Sequence, residues 1–136
     1  MHSMIFSDNK SELKLELIQW DGDAYISAVV NSHGFSGQSD AHIENNEFKE
    51  FCKNLLILQN SLKGKTKLCS MSPDEIDIEI KPSDKLGHMS VSGKIGRHIF
   101  TSSNGTNWHC VQFEFEIELQ QLDKAIKIEW VTKYGI

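Results

Sequence analysis

Residues 111–119 read VQFEFEIEL, a run in which apolar and polar residues alternate without a break. Successive side chains of a strand point to opposite faces of its sheet, so a period of two residues predicts a strand with one buried face. The opposite, outward face then carries Glu114, Glu116 and Glu118 close together. This stretch indicates a sheet that displays negative charge.

The sequence that follows this strand predicts a helix. In the next eleven residues, QQLDKAIKIEW, the apolar side chains Leu122, Ile126 and Trp130 recur every four positions and so share one helical face. We therefore predict a helix over residues 120–133 with these three side chains inward. Ile128 lies off the stripe and is β-branched, so continuation of the strand is the alternative.

A longer amphipathic helix is predicted over residues 46–63. Asn45-Asn46 precedes it, and asparagine is a favoured N-cap because its side chain accepts a backbone N–H of the first turn. Gly64 stands where a left-handed C-terminal cap is expected. The apolar stripe of this helix consists of Phe48, Phe51, Cys52, Leu55, Leu58 and Leu62.

The rest of the chain reads as strands joined by short turns. Asp21-Gly22 separates two alternating runs, which predicts a tight antiparallel hairpin, and residues 31–37 form a second turn region. Further strands are predicted near residues 38–44, 66–71, 76–82 (ended by Pro82) and 89–95, with a turn at Asn104-Gly105 before the last strand. The order predicts an α+β fold: an antiparallel sheet of about five to seven strands with one long central helix and a C-terminal helix.

Length, charge and cysteine usage limit the class of protein. A chain of 136 residues, 39% hydrophobic and 24% charged, has the size of a single α+β domain spanning residues 1–136. Its net charge of −5 argues against a nucleic-acid partner, and no apolar run is long enough to cross a membrane. The N-terminus has no secretory pattern. Together with three widely spaced cysteines, an odd number, this predicts reduced thiols in a cytoplasmic protein.

No motif predicts catalysis, a metal or a cofactor. Cys52 falls on the apolar helix face, and Cys110 and His109 are strand neighbours that point to opposite faces, so they are poorly placed to act as nucleophile and base. Residues 93–96 (GKIG) lack the order of a phosphate loop, and Gly93 is better explained by a bulge or a close approach of two strands. The histidines show no zinc-ligand spacing; they are His2, His33, His42, His88, His98 and His109.

The acidic residues are the remaining functional signal. Glu114, Glu116 and Glu118 share one predicted strand face, and Asp77 and Glu79 lie on the outward side of another strand. Such residues are candidates for binding a basic protein, because a negative surface raises the encounter rate and rejects wrong partners. The alternative is an ordinary solvated sheet face.

With these elements assigned, the chain resembles the WapI-like bacterial immunity proteins over residues 13–130. The likeness lies in the N-terminal hairpin, in the passage from FSG (35–37) to NEFKEF (46–51), in GHMSVSGKI (87–95) and in the acidic last strand. The resemblance implies that the protein neutralises a toxin delivered by rival cells by binding the toxin domain in the cytoplasm. It implies no catalytic residues.

Two functions follow as expectations. The first is an immunity-type protein that binds a cognate toxin domain, itself basic, without enzymatic activity. The alternative is a small-ligand-binding domain with a pocket between sheet and helices, walled by Trp20, Tyr25, Trp108 and Trp130. An enzyme would require converging histidine and carboxylate side chains, which the sequence does not indicate.

Overall fold

In a computed structural model, residues 3–101, 103 and 105–136 are described, and they form eight strands and three helices. In chain order the elements are β1 (Ser3–Ser7), β2 (Ser11–Trp20), β3 (Ala24–Ser32), β4 (Phe35–Ile43), α1 (Asn45–Ser61), β5 (Thr66–Cys69), β6 (Ile76–Pro82), β7 (Met89–Phe100), β8 (Thr106–Ile117), α2 (Leu119–Ala125) and α3 (Glu129–Gly135). Within this part of the chain, no helix has the length and apolar character that a bilayer crossing requires.

The strands divide into two four-stranded antiparallel sheets, ordered β1-β2-β3-β4 and β5-β6-β7-β8. The α+β class is confirmed, but the prediction of one sheet with five to seven strands was wrong. Alternation shows that a strand has one buried face, yet it does not show how strands are shared between sheets. Strand β1 was missed because it contributes only two buried apolar side chains, Met4 and Phe6.

The first sheet confirms both predicted turns. Strands β2 and β3 pair antiparallel around the Asp21-Gly22 turn, and Gly22 adopts a positive φ of 100°. The second turn is narrower than predicted, because Ser32 pairs with Phe35 and leaves only His33 and Gly34 between the strands. Both turn residues have positive φ, as a two-residue hairpin turn demands.

The second sheet extends further than the alternation indicated. Strand β6 ends at Pro82 as predicted, but β7 continues to Phe100 and β8 begins at Thr106. The outer parts of β7 and β8 were missed because both faces of this hairpin are exposed there, so no apolar alternation marks it. The predicted turn at Asn104-Gly105 includes Asn104, which lies outside the described residues.

Helix α1 confirms the central helix but corrects its caps. The N-cap is Glu44, whose carboxylate accepts the backbone N–H of Glu47 at 3.0 Å, whereas Asn45 is the first helical residue. The left-handed C-cap is Leu62 (φ 58°), two residues before Gly64. Leu62 is therefore exposed rather than part of the buried stripe, which comprises Phe48, Phe51, Cys52, Leu55 and Leu58.

The C-terminal helix predicted over 120–133 is two short helices. Ile128 has an extended backbone (φ −66°, ψ 135°) and separates α2 from α3. Leu122 and Trp130 are buried as predicted, while Ile126 is only partly buried. The break lets α3 turn onto α1 and approach it so closely that a Cβ on Gly135 would lie 3.0 Å from the Cys52 carbonyl carbon.

The buried apolar residues form one cluster that draws on both sheets and all three helices. The sheets meet where Gly37 of β4 leaves room for the Val111 side chain of β8. A backbone hydrogen bond of 2.9 Å from Met71 to the His42 carbonyl also joins β4 to the segment after β5. This arrangement leaves the outer face of the second sheet to solvent.

Candidate protein-binding surface

The outer face of the second sheet carries most of the predicted acidic residues. Inward positions of β6 are Ile76, Ile78 and Ile80, all fully buried, so Asp77 and Glu79 point outward. Cross-strand register aligns Glu79 with Ser92 and Ser92 with Glu114, and it aligns Lys81 with Ser90 and Ser90 with Glu116. The structure thus brings Asp77, Glu79, Glu114 and Glu116 onto one face.

Lysines surround the β6 end of this face. The Glu79 carboxylate lies 3.8, 3.7 and 3.6 Å from the ammonium groups of Lys65, Lys67 and Lys81. The negative charge at this position is therefore largely compensated. The prediction overlooked the compensation because Lys65 and Lys67 belong to the β5 region, whose register against β6 is not visible in the sequence.

Asp77 is engaged with a thiol. The Cys69 Sγ donates to Asp77 Oδ1 at 3.6 Å. Partial burial, and next the negative charge of Asp77, raise the pKa of the Cys69 thiol. Asp77 thus serves a local contact, and Cys69 is kept in its protonated, unreactive form.

The β8 end of the face keeps its negative charge. Glu114 accepts a 3.4 Å hydrogen bond from the Ser90 hydroxyl. Among the described residues, no lysine or arginine lies within ion-pair distance of Glu114 or Glu116. We call Glu114, Glu116 and Glu118 the β8 acidic row, and within it Glu114 and Glu116 carry negative charge that no lysine or arginine of the described chain compensates.

Glu118 sits at the end of this row beside a histidine. The His88 Nε2 is 3.2 Å from Glu118 Oε2, and its Nδ1 is 2.5 Å from Asp84 Oδ2. The hydrogen bond to Asp84, followed by the charges of Asp84 and Glu118, raises the pKa of His88. The same hydrogen bond, together with the backbone N–H of Leu86, lowers the pKa of Asp84. His88 thereby links the β6–β7 loop to the start of α2.

Sequence reasoning missed this histidine cluster. The Asp84 to His88 spacing of four residues around Gly87, whose φ is 98°, was the available signal. Glu118 is thirty positions further along the chain than His88, so the spacing of residues could not predict the contact between them.

An open cleft of about 720 Å³ adjoins the β8 acidic row. Its charged and titratable lining residues are Asp8, Lys10, His33, His88, Glu116 and Glu118. The Gln121 side chain closes one side by accepting from the Ser7 N–H and donating to the Ser7 carbonyl, both at 2.7 Å. Three carboxylates and one lysine give this cleft a negative balance, which suits a cationic side chain of a partner.

The aromatic residues proposed as pocket walls do not surround one cavity. Trp20 stacks on Tyr134 at 4.3 Å, and both Trp20 and Trp130 contact Phe48, at 5.8 and 5.6 Å. These rings fill the space between α1, α3 and the first sheet. The other two lie elsewhere: Tyr25 packs on His42 at 4.6 Å and Trp108 on His98 at 4.5 Å.

The remaining candidate groups are placed as follows. Cys52 is buried in the core, and burial raises the pKa of its thiol to about 12. Cys110 is exposed on β8, with a pKa raised by partial burial. Over residues 3–101, 103 and 105–136, no group of three or more histidine, cysteine, aspartate or glutamate side chains is placed to hold a metal ion.

The fold and this surface define a two-sheet α+β protein with an acidic row along the last strand. A family model, the Immunity protein WapI-like family, matches residues 4–128, and the chain belongs to that family. Neither a search of curated proteins nor a search of solved structures returned a match. The family model confirms the resemblance drawn from the sequence.

Proposed function

We propose that this protein neutralises a cognate toxin domain by direct contact in the cytoplasm, without catalysis, and that the β8 acidic row forms part of the contact surface. Membership of an immunity-protein family supports the class. The observation that carries the site is the lack of lysine or arginine partners for Glu114 and Glu116 within the described chain, although lysines surround Glu79 on the same face.

The partner surface is expected to be basic. Like charges along one strand repel each other, and a cationic partner relieves that repulsion. A lysine or arginine of the toxin domain fits the cleft between Asp8, Glu116 and Glu118, where three carboxylates attract its positive charge. Charges at the rim of an interface act mainly through the association rate, so binding is expected to weaken as salt increases.

The test is co-expression with a toxin domain encoded beside this protein, followed by co-purification and surface plasmon resonance. Replacing Glu114 and Glu116 by lysine should slow association roughly tenfold and flatten its salt dependence, with little change in dissociation. The matched control is the Asp21→Lys, Glu50→Lys double variant. Both of its sites are exposed and lie outside the second sheet, in the β2–β3 turn and on α1, and it changes the net charge by the same amount.

Equal slowing in both double variants would mean that only net charge matters and would remove the β8 acidic row from the interface. Failure to co-purify with any toxin domain encoded beside it would contradict the proposed function itself.

A further inference from the structure

The outer face of the second sheet continues beyond the β8 acidic row to a group of exposed rings. Strands β7 and β8 pair in unbroken register, so the side chains at even-numbered positions of both strands lie on this face. Glu114 and Glu116 occupy one end of the face. At the other end lie three rings that we call the aromatic end: His98, Phe100 and Trp108.

The aromatic end combines exposure with firm packing. Phe100 is 83% exposed and Trp108 41%. The Trp108 ring packs on His98, its cross-strand neighbour, at 4.5 Å and lies over Gly96, where a Cβ would collide with it. Exposed apolar groups gathered in one place mark an interaction surface. A ring that is already held in position loses little conformational entropy when a partner binds it.

The outer side of this hairpin is the side open to a partner. On the inner side, the Val111 side chain lies against Gly37 of β4, and a cavity of about 170 Å³ separates β4 from the hairpin. On the outer side, the β5–β6 turn reaches as far as Gly96, whose N–H donates to the Glu75 carbonyl at 3.0 Å. The aromatic end begins at this contact and continues from there toward Phe100.

The distance between the two ends matches the size of one protein interface. A stable interface covers about 800 Å² on each partner, which is a patch roughly 30 Å across. Glu114 and Glu116 are only about 7 Å apart along β8, so they form a small part of such a patch. From Trp108 to Glu116 the face extends about 26 Å. One footprint of ordinary size therefore includes both the acidic row and the aromatic end.

The charges of this face favour a basic protein as its occupant. The one lysine at an outward position of β7 and β8 is Lys94, and its cross-strand neighbour on β6 is Asp77. Glu114 and Glu116 are therefore the charges of these two strands that a partner can compensate. They repel nucleic acid, and they repel a second copy of this chain, whose net charge is −5.

We propose that the aromatic end anchors the toxin interface: Phe100 and Trp108 enter an apolar pocket of the toxin domain, and lysines or arginines beside that pocket face Glu114 and Glu116. The inference rests on the proposed function and adds the roles of the two ends to it. Buried aromatic side chains carry most of the binding energy of an interface, whereas charges at its rim govern association. The aromatic end thus determines how long the complex lasts, and the acidic row how fast it forms.

The proposal also specifies the complementary surface of the partner. Trp108 and Glu114 are six residues apart on one strand, which corresponds to about 20 Å. The apolar pocket of the toxin domain should therefore lie about that far from its basic residues.

The test measures association and dissociation separately, by surface plasmon resonance with the purified toxin domain encoded beside this protein. Phe100→Ala should accelerate dissociation about tenfold and Trp108→Ala about thirtyfold, with the association rate and its salt dependence unchanged. The matched control is Ile57→Ala, which truncates a side chain that is 48% exposed on α1 and should change neither rate. Thermal melts verify folding. Since Phe100 is the more exposed ring, Phe100→Ala keeps the test valid if Trp108→Ala proves unstable.

A second measurement leaves the surface intact. The chain has three tryptophans, Trp20, Trp108 and Trp130, and incorporation of 5-fluorotryptophan gives each a fluorine resonance. Trp108→Phe identifies the Trp108 resonance by its absence. Unlabelled toxin domain should shift that resonance and protect it from a soluble paramagnetic reagent. The resonances of Trp20 and Trp130 should change little, because both rings pack on Phe48.

Two results would overturn the inference and leave the proposed function intact. They are dissociation rates unchanged in both Phe100→Ala and Trp108→Ala, and a Trp108 resonance that does not respond to bound toxin domain. A Trp108 resonance that responds to single-stranded RNA instead, or self-association of the free chain that Phe100→Ala abolishes, would assign the face to another occupant and would also overturn the inference. Absence of any binding by the toxin domain would contradict both proposals.

Discussion

The glycine at position 93 offers the sharpest test of how the second sheet is built. A Cβ placed on Gly93 would lie 3.0 Å from the Ile78 Cα and still closer to the carbonyl oxygen of Asp77. Both neighbours are backbone atoms of β6, so no side chain can rotate away to make room. The close strand approach predicted for this glycine is thus what the structure contains.

Gly93→Ala must therefore push β6 and β7 apart at the centre of the sheet. Weakening two hydrogen bonds of the ladder and disturbing the packing beneath them should cost about 3 kcal/mol. For a chain of this size that corresponds to a drop of roughly 10 °C in Tm. Chemical and thermal denaturation followed by circular dichroism would measure it.

The matched control is Gly22→Ala. Gly22 has a positive φ of 100° but open space around it, so only backbone strain of about 1 kcal/mol is expected there. If Gly93→Ala destabilised the protein no more than Gly22→Ala, the inference of a close backbone contact would be refuted.

Three further outcomes are expected. Phe51→Ala should lower the free energy of unfolding by about 3–5 kcal/mol, because the ring is 1% exposed; an unchanged urea midpoint would contradict its burial. The pKa of His88 is raised in the folded state, so the stability from its contacts is fully present below pH 6.5 and is lost as pH rises through the raised pKa. The difference in free energy of unfolding between the protein and the His88→Gln variant should accordingly narrow from pH 6 to pH 9. A constant difference would show that protonation of His88 does not contribute to stability. Finally, an alkylating reagent at pH 8 should modify Cys110 in the native protein but Cys52, with a pKa of about 12, only after unfolding; mass spectrometry of the digested protein reports both.

The elements that sequence predicted well are those set by local periodicity. The α1 stripe and the β6 alternation place apolar side chains on one face within a few residues, and the structure buries them there. Turn residues were equally informative, because Asp21-Gly22 accepts a backbone conformation that few other pairs tolerate.

The features that were missed depend on distant parts of the chain. The strands before α1 form one sheet and the strands after it form another, and the pattern of any short stretch of sequence does not show this division. For the candidate surface, the outward direction of Glu114 and Glu116 was predictable from alternation. The lysines around Glu79 were not, because Lys65 and Lys67 reach it only through the β5–β6 register. Likewise, the His88 to Glu118 contact joins two separate loops.

The two hydrogen bonds between the Gln121 side chain and the Ser7 backbone form late during synthesis of the chain. The side chain of Gln121 replaces a neighbouring strand at the edge of β1, and Tyr134 and Trp130 cover the Phe48 end of α1. Synthesis proceeds from the N-terminus, so the first strand and the central helix leave the ribosome long before the residues that cover them. Their apolar surfaces stay open to chaperones during that interval, and the native core closes only after residues 121–134 have emerged.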